Sequence, residues 1–240
     1  YYILAFAALS LFSSCQLYDD APTGMERPGV VLDDEILSLY KLLGSSPHGW
    51  RGVMIPGSYQ YGGINFCFKF DAKTWVEVSS EDGGAVRSTY TLSQSDGVRL
   101  TFDSSNSRIG RYASPDYTLL QGLEGDFELR LENISPDGKQ IVFTGIYSKN
   151  KLVLTRLDEE PEEYLAKVKA VRDALYGKAL SPLKLGGKEA NISVFGLARQ
   201  LHVTVDGESK LMPIYFTPEG VNVIAPDDVM DDKPAERVGQ

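Results

Sequence analysis

Residues 64–70 read INFCFKF, and this heptapeptide constrains the fold more than any other stretch. Ile64, Phe66, Phe68 and Phe70 recur with a period of two, with Asn65, Cys67 and Lys69 between them. Only a β-strand puts such a series on one face, so four large apolar side chains enter a core together. A second apolar run, residues 50–55, precedes it. Pro56-Gly57 ends that run, and Gly62-Gly63 releases the chain into the next. The segment from His48 to Phe70 thus opens a sheet.

Similar strands follow for about a hundred residues. In residues 73–80, Val76 and Val78 face the core, and Trp75, Glu77 and Ser79 face away, with Trp75 covering an edge or lining a cavity. Residues 81–84 (EDGG) form a turn, and Ser95-Asp96-Gly97 joins strands at 87–92 and 98–102. Residues 103–116 read as an irregular polar loop. Alternation resumes over 124–134 through Phe127, Leu129 and Leu131, turns at Pro136-Asp137-Gly138, and ends in a hairpin of 140–147 and 151–156 about Lys149-Asn150. Seven or eight antiparallel strands result, and closing them into a barrel removes exposed edges. Two helices are expected. One starts at Asp33 or Asp34 and runs to Leu43, with Ile36, Leu39, Tyr40 and Leu43 on one face. The other spans 158–176, with Tyr164, Val168, Val171 and Leu175 inward and ion pairs Glu163–Lys167 and Lys169–Asp173 outward. Further strands are expected at 190–195, 201–205, 211–216 and 221–224. The fold class is mainly β: an antiparallel meander, lipocalin-like or a partly closed barrel, with two packed helices. The last strands either continue that architecture, the arrangement favoured here, or form a satellite sheet after a division near residue 180.

The N-terminal region sets location. Residues 1–12 carry no charge and fit the apolar part of a signal peptide. Leu11-Phe12-Ser13-Ser14-Cys15 has the form of a bacterial lipobox, with small residues before a cysteine whose sulfur takes the lipid. Residues 1–14 are then a leader remnant and Cys15 the lipidation site. Residues 15–30 form a tether, 31–225 the mainly β domain, and 226–240 an acidic tail. Gln16 follows the cysteine where an aspartate would favour inner-membrane retention. The expected location is the outer membrane, lipid-anchored, on its periplasmic or extracellular face. A formal charge of -9 argues against nucleic acid as a partner. Cys67, within a strand, is expected to be a buried free thiol.

Catalytic motifs are sparse. His48 and His202 are the two histidines, and neither belongs to a metal-binding pair or triad signature. There is no phosphate loop and no nucleophile elbow. Glu124, Asp126 and Glu128 share a strand face in this register, which suits either a solvated edge or a carboxylate pair for glycoside hydrolysis. No cofactor is expected. Trp50, Tyr59, Tyr61 and Trp75 lie near the opening sheet, where aromatic faces stack on sugars or other flat ligands. Asn106, Arg108 and Arg111 add polar groups from the loop. These seven residues are the ligand-binding candidates, for a glycan, another small molecule or a surface protein.

The chain also resembles a lipoprotein family of Bacteroidota known as domain of unknown function 4302. The resemblance begins at Cys15 and rests on Gly49-Trp50, Ile55-Pro56-Gly57, Tyr61-Gly62-Gly63-Ile64-Asn65-Phe66, Lys69-Phe70-Asp71, Val76-Glu77-Val78-Ser79-Ser80, Ser88-Thr89-Tyr90, Leu100-Thr101-Phe102-Asp103, Asn106, Ser114-Pro115 and Gly122-Leu123-Glu124-Gly125-Asp126-Phe127-Glu128. It covers most of residues 15–156 and is weaker to about 225. Ser104-Ser105 stands where Thr-Tyr is common, and Gly110 near a frequent His. The resemblance implies a secreted or surface lipoprotein, often beside polysaccharide-uptake systems, and supplies no catalytic residues. The expected function is an outer-membrane-associated binding lipoprotein. The alternatives are a protein-interaction or structural module and a glycoside hydrolase.

Overall fold

The computed structural model describes residues 28–56, 61–114, 123–185, 187–195 and 199–224. Cys15, the leader, most of the tether, Tyr59 and the acidic tail lie outside the described residues. Among the described residues, no helix is long and apolar enough to cross a membrane.

Eight strands form a closed antiparallel barrel: β1 Trp50–Met54, β2 Ile64–Phe70, β3 Trp75–Ser80, β4 Gly83–Gln94, β5 Val98–Phe102, β6 Glu128–Ile134, β7 Gln140–Gly145 and β8 Lys151–Arg156. β1 pairs with both β2 and β8, which closes the ring. The alternating face of β2 points inward. Phe68 and Phe70 stack at 6.0 Å, and Phe66 meets Tyr112 edge-on at 5.7 Å. Phe102, Phe143, Tyr90, Val76 and Val78 join the same core. The barrel is filled by its own side chains and holds its shape as a packed interior.

A helix covers each end. α1, Pro28–Gly44, lies at the end with the β2–β3 turn and buries Leu39 and Leu43 in the barrel core. The Trp50 indole N–H donates to the Leu43 carbonyl at 2.8 Å, which ties β1 to the helix. α1 begins at Pro28 instead of Asp33 or Asp34. Proline suits a first turn, because the donor it lacks would be unpaired there anyway. At the opposite end is α2, Ser107–Ala113, a helix within the stretch expected to be an irregular loop. The Asn106 side chain caps it by accepting the Arg108 N–H at 3.0 Å, and Ile109 and Tyr112 point into the barrel. Polar residues before it and Gly110 within it masked a two-turn helix whose stability comes from burial.

α3, Pro161–Leu175, packs outside the barrel against β2 and β3. The expected surface pairs are not formed as drawn. Lys167 pairs with Glu159, and Asp173 with Arg172 at 3.2 Å. The chain then builds a separate five-stranded sheet from β9 Ala179–Leu185, β10 Lys188–Phe195, β11 Gln200–Val205, β12 Glu208–Thr217 and β13 Gly220–Val223, in order β13-β12-β11-β10-β9. These strands do not extend the barrel sheet. β9, absent from the sequence-based expectation, runs through Ser181-Pro182. Its register shifts opposite Ala190 and Ile192, so the proline sits at an irregularity of an edge strand, where its missing donor is tolerated. Tyr164, Leu165 and Val168 of α3 join Ile192, Val194, Leu201, Ile214 and Phe216 in a second core.

Cys67 points out of the barrel into this second core and is free. Burial pushes its thiol up to about 12, with the nearby Glu162 charge adding to the effect. With residues 1–15 removed, Cys67 is the one remaining thiol. We expect it to resist aromatic disulfide reagents in native buffer at pH 8 and to react fully in denaturant. Rapid native labelling would show that α3 does not cover it.

Candidate ligand-binding site

The sheet and the barrel meet at Gly62-Gly63. The Gly63 N–H donates to the Ile214 carbonyl at 3.0 Å, joining the start of β2 to β12. Gly62 has φ +63°, and a Cβ there would stand 2.4 Å from the Arg199 Cβ; one on Gly63 would stand 2.7 Å from Val53 Cγ1. The glycines therefore permit a backbone approach that side chains would block.

A buried ionic network lies beside this contact. Its acidic members, Glu81 and Asp82, form the two-residue β3–β4 turn, since Ser80 pairs with Gly83. Arg199 Nε donates to Glu81 Oε1 at 2.7 Å, and Arg199 Nη2 to Asp82 Oδ2 at 2.8 Å. Arg172 Nη1, from α3, donates to Asp82 Oδ1 at 2.9 Å and to the Glu81 carbonyl at 3.1 Å. The Tyr112 hydroxyl donates to Asp82 Oδ2 at 2.9 Å, and Asn65 Nδ2 to the Phe216 carbonyl at 2.9 Å and Glu81 Oε2 at 3.3 Å. One turn is thus bound to barrel, α2, α3 and second sheet together. The Glu81 side chain is 0% exposed and that of Arg199 9%.

The network sets protonation. Burial pushes the Glu81 carboxyl up, against the opposing pull of Arg199. Burial pushes Asp82 the same way, but Arg199, the Tyr112 hydrogen bond and Arg172 outweigh it and hold the carboxyl below its ordinary value. Arg199 loses by desolvation and gains more from Glu81 and Asp82, so it stays charged. An ionised Asp82 with both oxygens occupied is a structural anion and a poor proton donor at neutral pH.

Along this network runs a cleft of about 710 Å³, lined by Tyr61, Ile64, Asp82, Arg111, Tyr112, Leu123, Arg172, Asp173, Tyr176 and Arg199. It lies outside the barrel, between the α2 end of the barrel, the C-terminal turn of α3 and the segment leading into β11. A second depression of about 420 Å³ shares Asp82 and Arg172 with it. The first volume falls in the ordinary range of small-molecule sites, about 300–1,000 Å³.

Of the sequence candidates, Tyr61 and Arg111 line this cleft. Trp50 lies buried at the other end of the barrel, 0% exposed and hydrogen-bonded to α1. Trp75 is on the outer wall, with the Arg87 guanidinium 4.6 Å above its ring. Asn106 is buried as the α2 cap and donates to Ser88 Oγ at 2.8 Å. Arg108 braces the β3–β4 turn by donating from Nε to the Gly84 carbonyl at 2.7 Å. The carboxylate set Glu124, Asp126 and Glu128 is not one strand face, because β6 begins only at Glu128. Asp126 is buried and accepts the backbone N–H groups of Tyr147, Ser148 and Asn150, while Glu128 pairs with Arg99. His48 bonds to Glu160 at 2.9 Å on the surface, and His202 packs beside Phe195 at 5.7 Å. Among the described residues, no group of three or more His, Cys, Asp or Glu could hold a metal.

Asp82, Tyr112, Arg172, Asp173, Tyr176 and Arg199 were not legible as site residues. Asp82 meets Arg172 across 90 residues and Arg199 across 117. The one local sign was a Glu-Asp pair in a tight turn with no basic neighbour, which left its counter-charges to come from elsewhere.

No curated protein and no solved structure matches the chain. Residues 26–233 match the family described as domain of unknown function DUF4302, a span that includes the barrel, the second sheet and every described residue lining the cleft. The chain belongs to that family.

Proposed function

We propose that the protein is a lipid-anchored binding protein of the outer membrane that holds a small extracellular ligand of the saccharide class in the cleft between barrel and second sheet. The observation that carries this reading is a cleft of about 710 Å³ in which the tyrosines Tyr61 and Tyr176 stand beside guanidinium and carboxylate groups already fixed by one another. Fixed polar groups orient a ligand without an ordering cost, and tyrosine rings offer stacking faces with a polar rim. Because the barrel is filled by its own side chains, unlike one that encloses a ligand, the reading is supported at a cleft outside its core. The lipobox ending at Cys15 supports the anchor, with the stretch before α1 as the tether.

The test is a saccharide and metabolite screen by calorimetry on residues 16–240, which retain all of the described fold. A saturable ligand should emerge whose affinity falls about 10-fold or more in Tyr61→Ala or Tyr176→Ala, as loss of a stacking face predicts. A ligand unaffected by both variants, or a folded protein that binds nothing, would overturn the reading.

A further inference from the structure

The hydrogen-bonding inventory of the cleft is unequal. Among the described residues its carboxylate acceptors are mostly occupied: Asp82 Oδ1 receives Arg172, Asp82 Oδ2 receives Arg199 and Tyr112, and Asp173 Oδ1 receives Arg172 Nε, which leaves Asp173 Oδ2 as the one lining carboxylate oxygen without a partner among them. Its donors are in surplus. Arg111, exposed in the last turn of α2, has no carboxylate partner among the described residues; its guanidinium stands 6.0 Å from the Tyr112 ring centroid. Arg172 spends Nε and Nη1 within the network, and its Nη2 has no acceptor among the described residues. A guanidinium is always charged and presents a fork of donors matched to a planar oxyanion.

Resting on the saccharide reading above, we infer that the ligand carries a carboxylate, as a hexuronate or sialate unit does, and that Arg111 is its receptor. The hydroxyls of a neutral sugar can accept from these donors, but each also brings a proton for which few carboxylate acceptors are left among the described residues, and none carries the charge that matches a guanidinium. A carboxylate supplies acceptors where donors are idle, while the sugar ring lies against Tyr61 or Tyr176. The chain as a whole is at -9, so a guanidinium with no carboxylate partner among the described residues is a local exception to the charge that would repel such a ligand.

Calorimetry on residues 16–240 with hexuronate and sialate oligosaccharides, each beside its methyl ester, tests this. The acid should bind at least about 10-fold tighter than its ester, as loss of a charge-assisted hydrogen bond predicts, and its affinity should fall with added KCl. Arg111→Gln should remove both the preference and the salt dependence. Arg111→Lys should keep the salt dependence with weaker binding, because the charge remains and the fork does not. Ester and acid binding alike would overturn the carboxylate inference and leave the cleft as a saccharide site. Binding of neither, by protein whose unfolding is still cooperative, would overturn the carboxylate inference, and only the failure of every saccharide in the wider screen would overturn the site as well.

Discussion

Arg199→Met is expected to destabilise the protein by about 3–5 kcal/mol, the cost of leaving a buried ion without its partner. The Glu81 side chain, 0% exposed, would keep the Asn65 amide as its remaining side-chain partner. Asp82 would keep Arg172 and Tyr112, so the loss falls on Glu81. Arg199 also holds φ at 45°, unusual for a residue with a side chain, and a strain on the order of 1 kcal/mol that its ion pairs must outweigh. Urea denaturation gives the size of the effect. The double variant Glu81→Gln/Arg199→Met separates the ionic cost from lost packing. It should be more stable than Arg199→Met alone, because the orphaned charge is gone. A loss under about 0.5 kcal/mol in Arg199→Met would mean that the network does not hold the second sheet to the barrel.

Trp50→Ala is the second large effect. Trp50 is 0% exposed, its indole is bonded to Leu43, and the Arg156 guanidinium lies 5.0 Å from the ring centroid. Removing a buried tryptophan leaves a cavity and costs about 3–5 kcal/mol. The Leu43 carbonyl also loses its donor at the end of α1, where helix carbonyls lack internal partners. The midpoint of thermal unfolding should drop, and α1 should become the most protease-sensitive part of the barrel. The contrast with Arg199→Met is informative. Trp50 secures the end far from the cleft, so ligand affinity measured on the folded fraction should persist in Trp50→Ala and fail in Arg199→Met.

These two positions also show what could be read in the chain. The barrel was legible because its information is local: period-two alternation at Ile64, Phe66, Phe68 and Phe70 sorts side chains by face, and each turn carries its own residues. Eight strands and a closed ring follow from many such short statements. β9 was hidden because Pro182 usually marks a break, and α2 because Asn106 and Gly110 look like loop residues until Ile109 and Tyr112 are seen to be buried. The cleft was scarcely legible. Tyr61 and Arg111 were candidates by residue type, but the groups around them come from segments scattered along the chain from Ile64 to Arg199. Glu81-Asp82 was read as a turn, correctly for its backbone and incompletely for its charges. A pattern of two or four residues cannot report a pairing made across 117. Trp50 and Trp75 were candidates because aromatic residues suit both ligands and sheets, and sequence does not say which side of a strand is covered.

The proposed ligand site lies on the outside of a filled barrel, at the joint with the second sheet. Hydrogen exchange on residues 16–240, with and without a saturating saccharide, tests it most directly. Protection should rise in α2, in the β3–β4 turn and in the C-terminal turn of α3, and stay unchanged in α1 and the β2–β3 turn at the opposite end. Protection confined to the inward-facing strands and α1, with none at Asp82, Tyr112 or Arg172, would place the ligand inside the barrel and contradict the account.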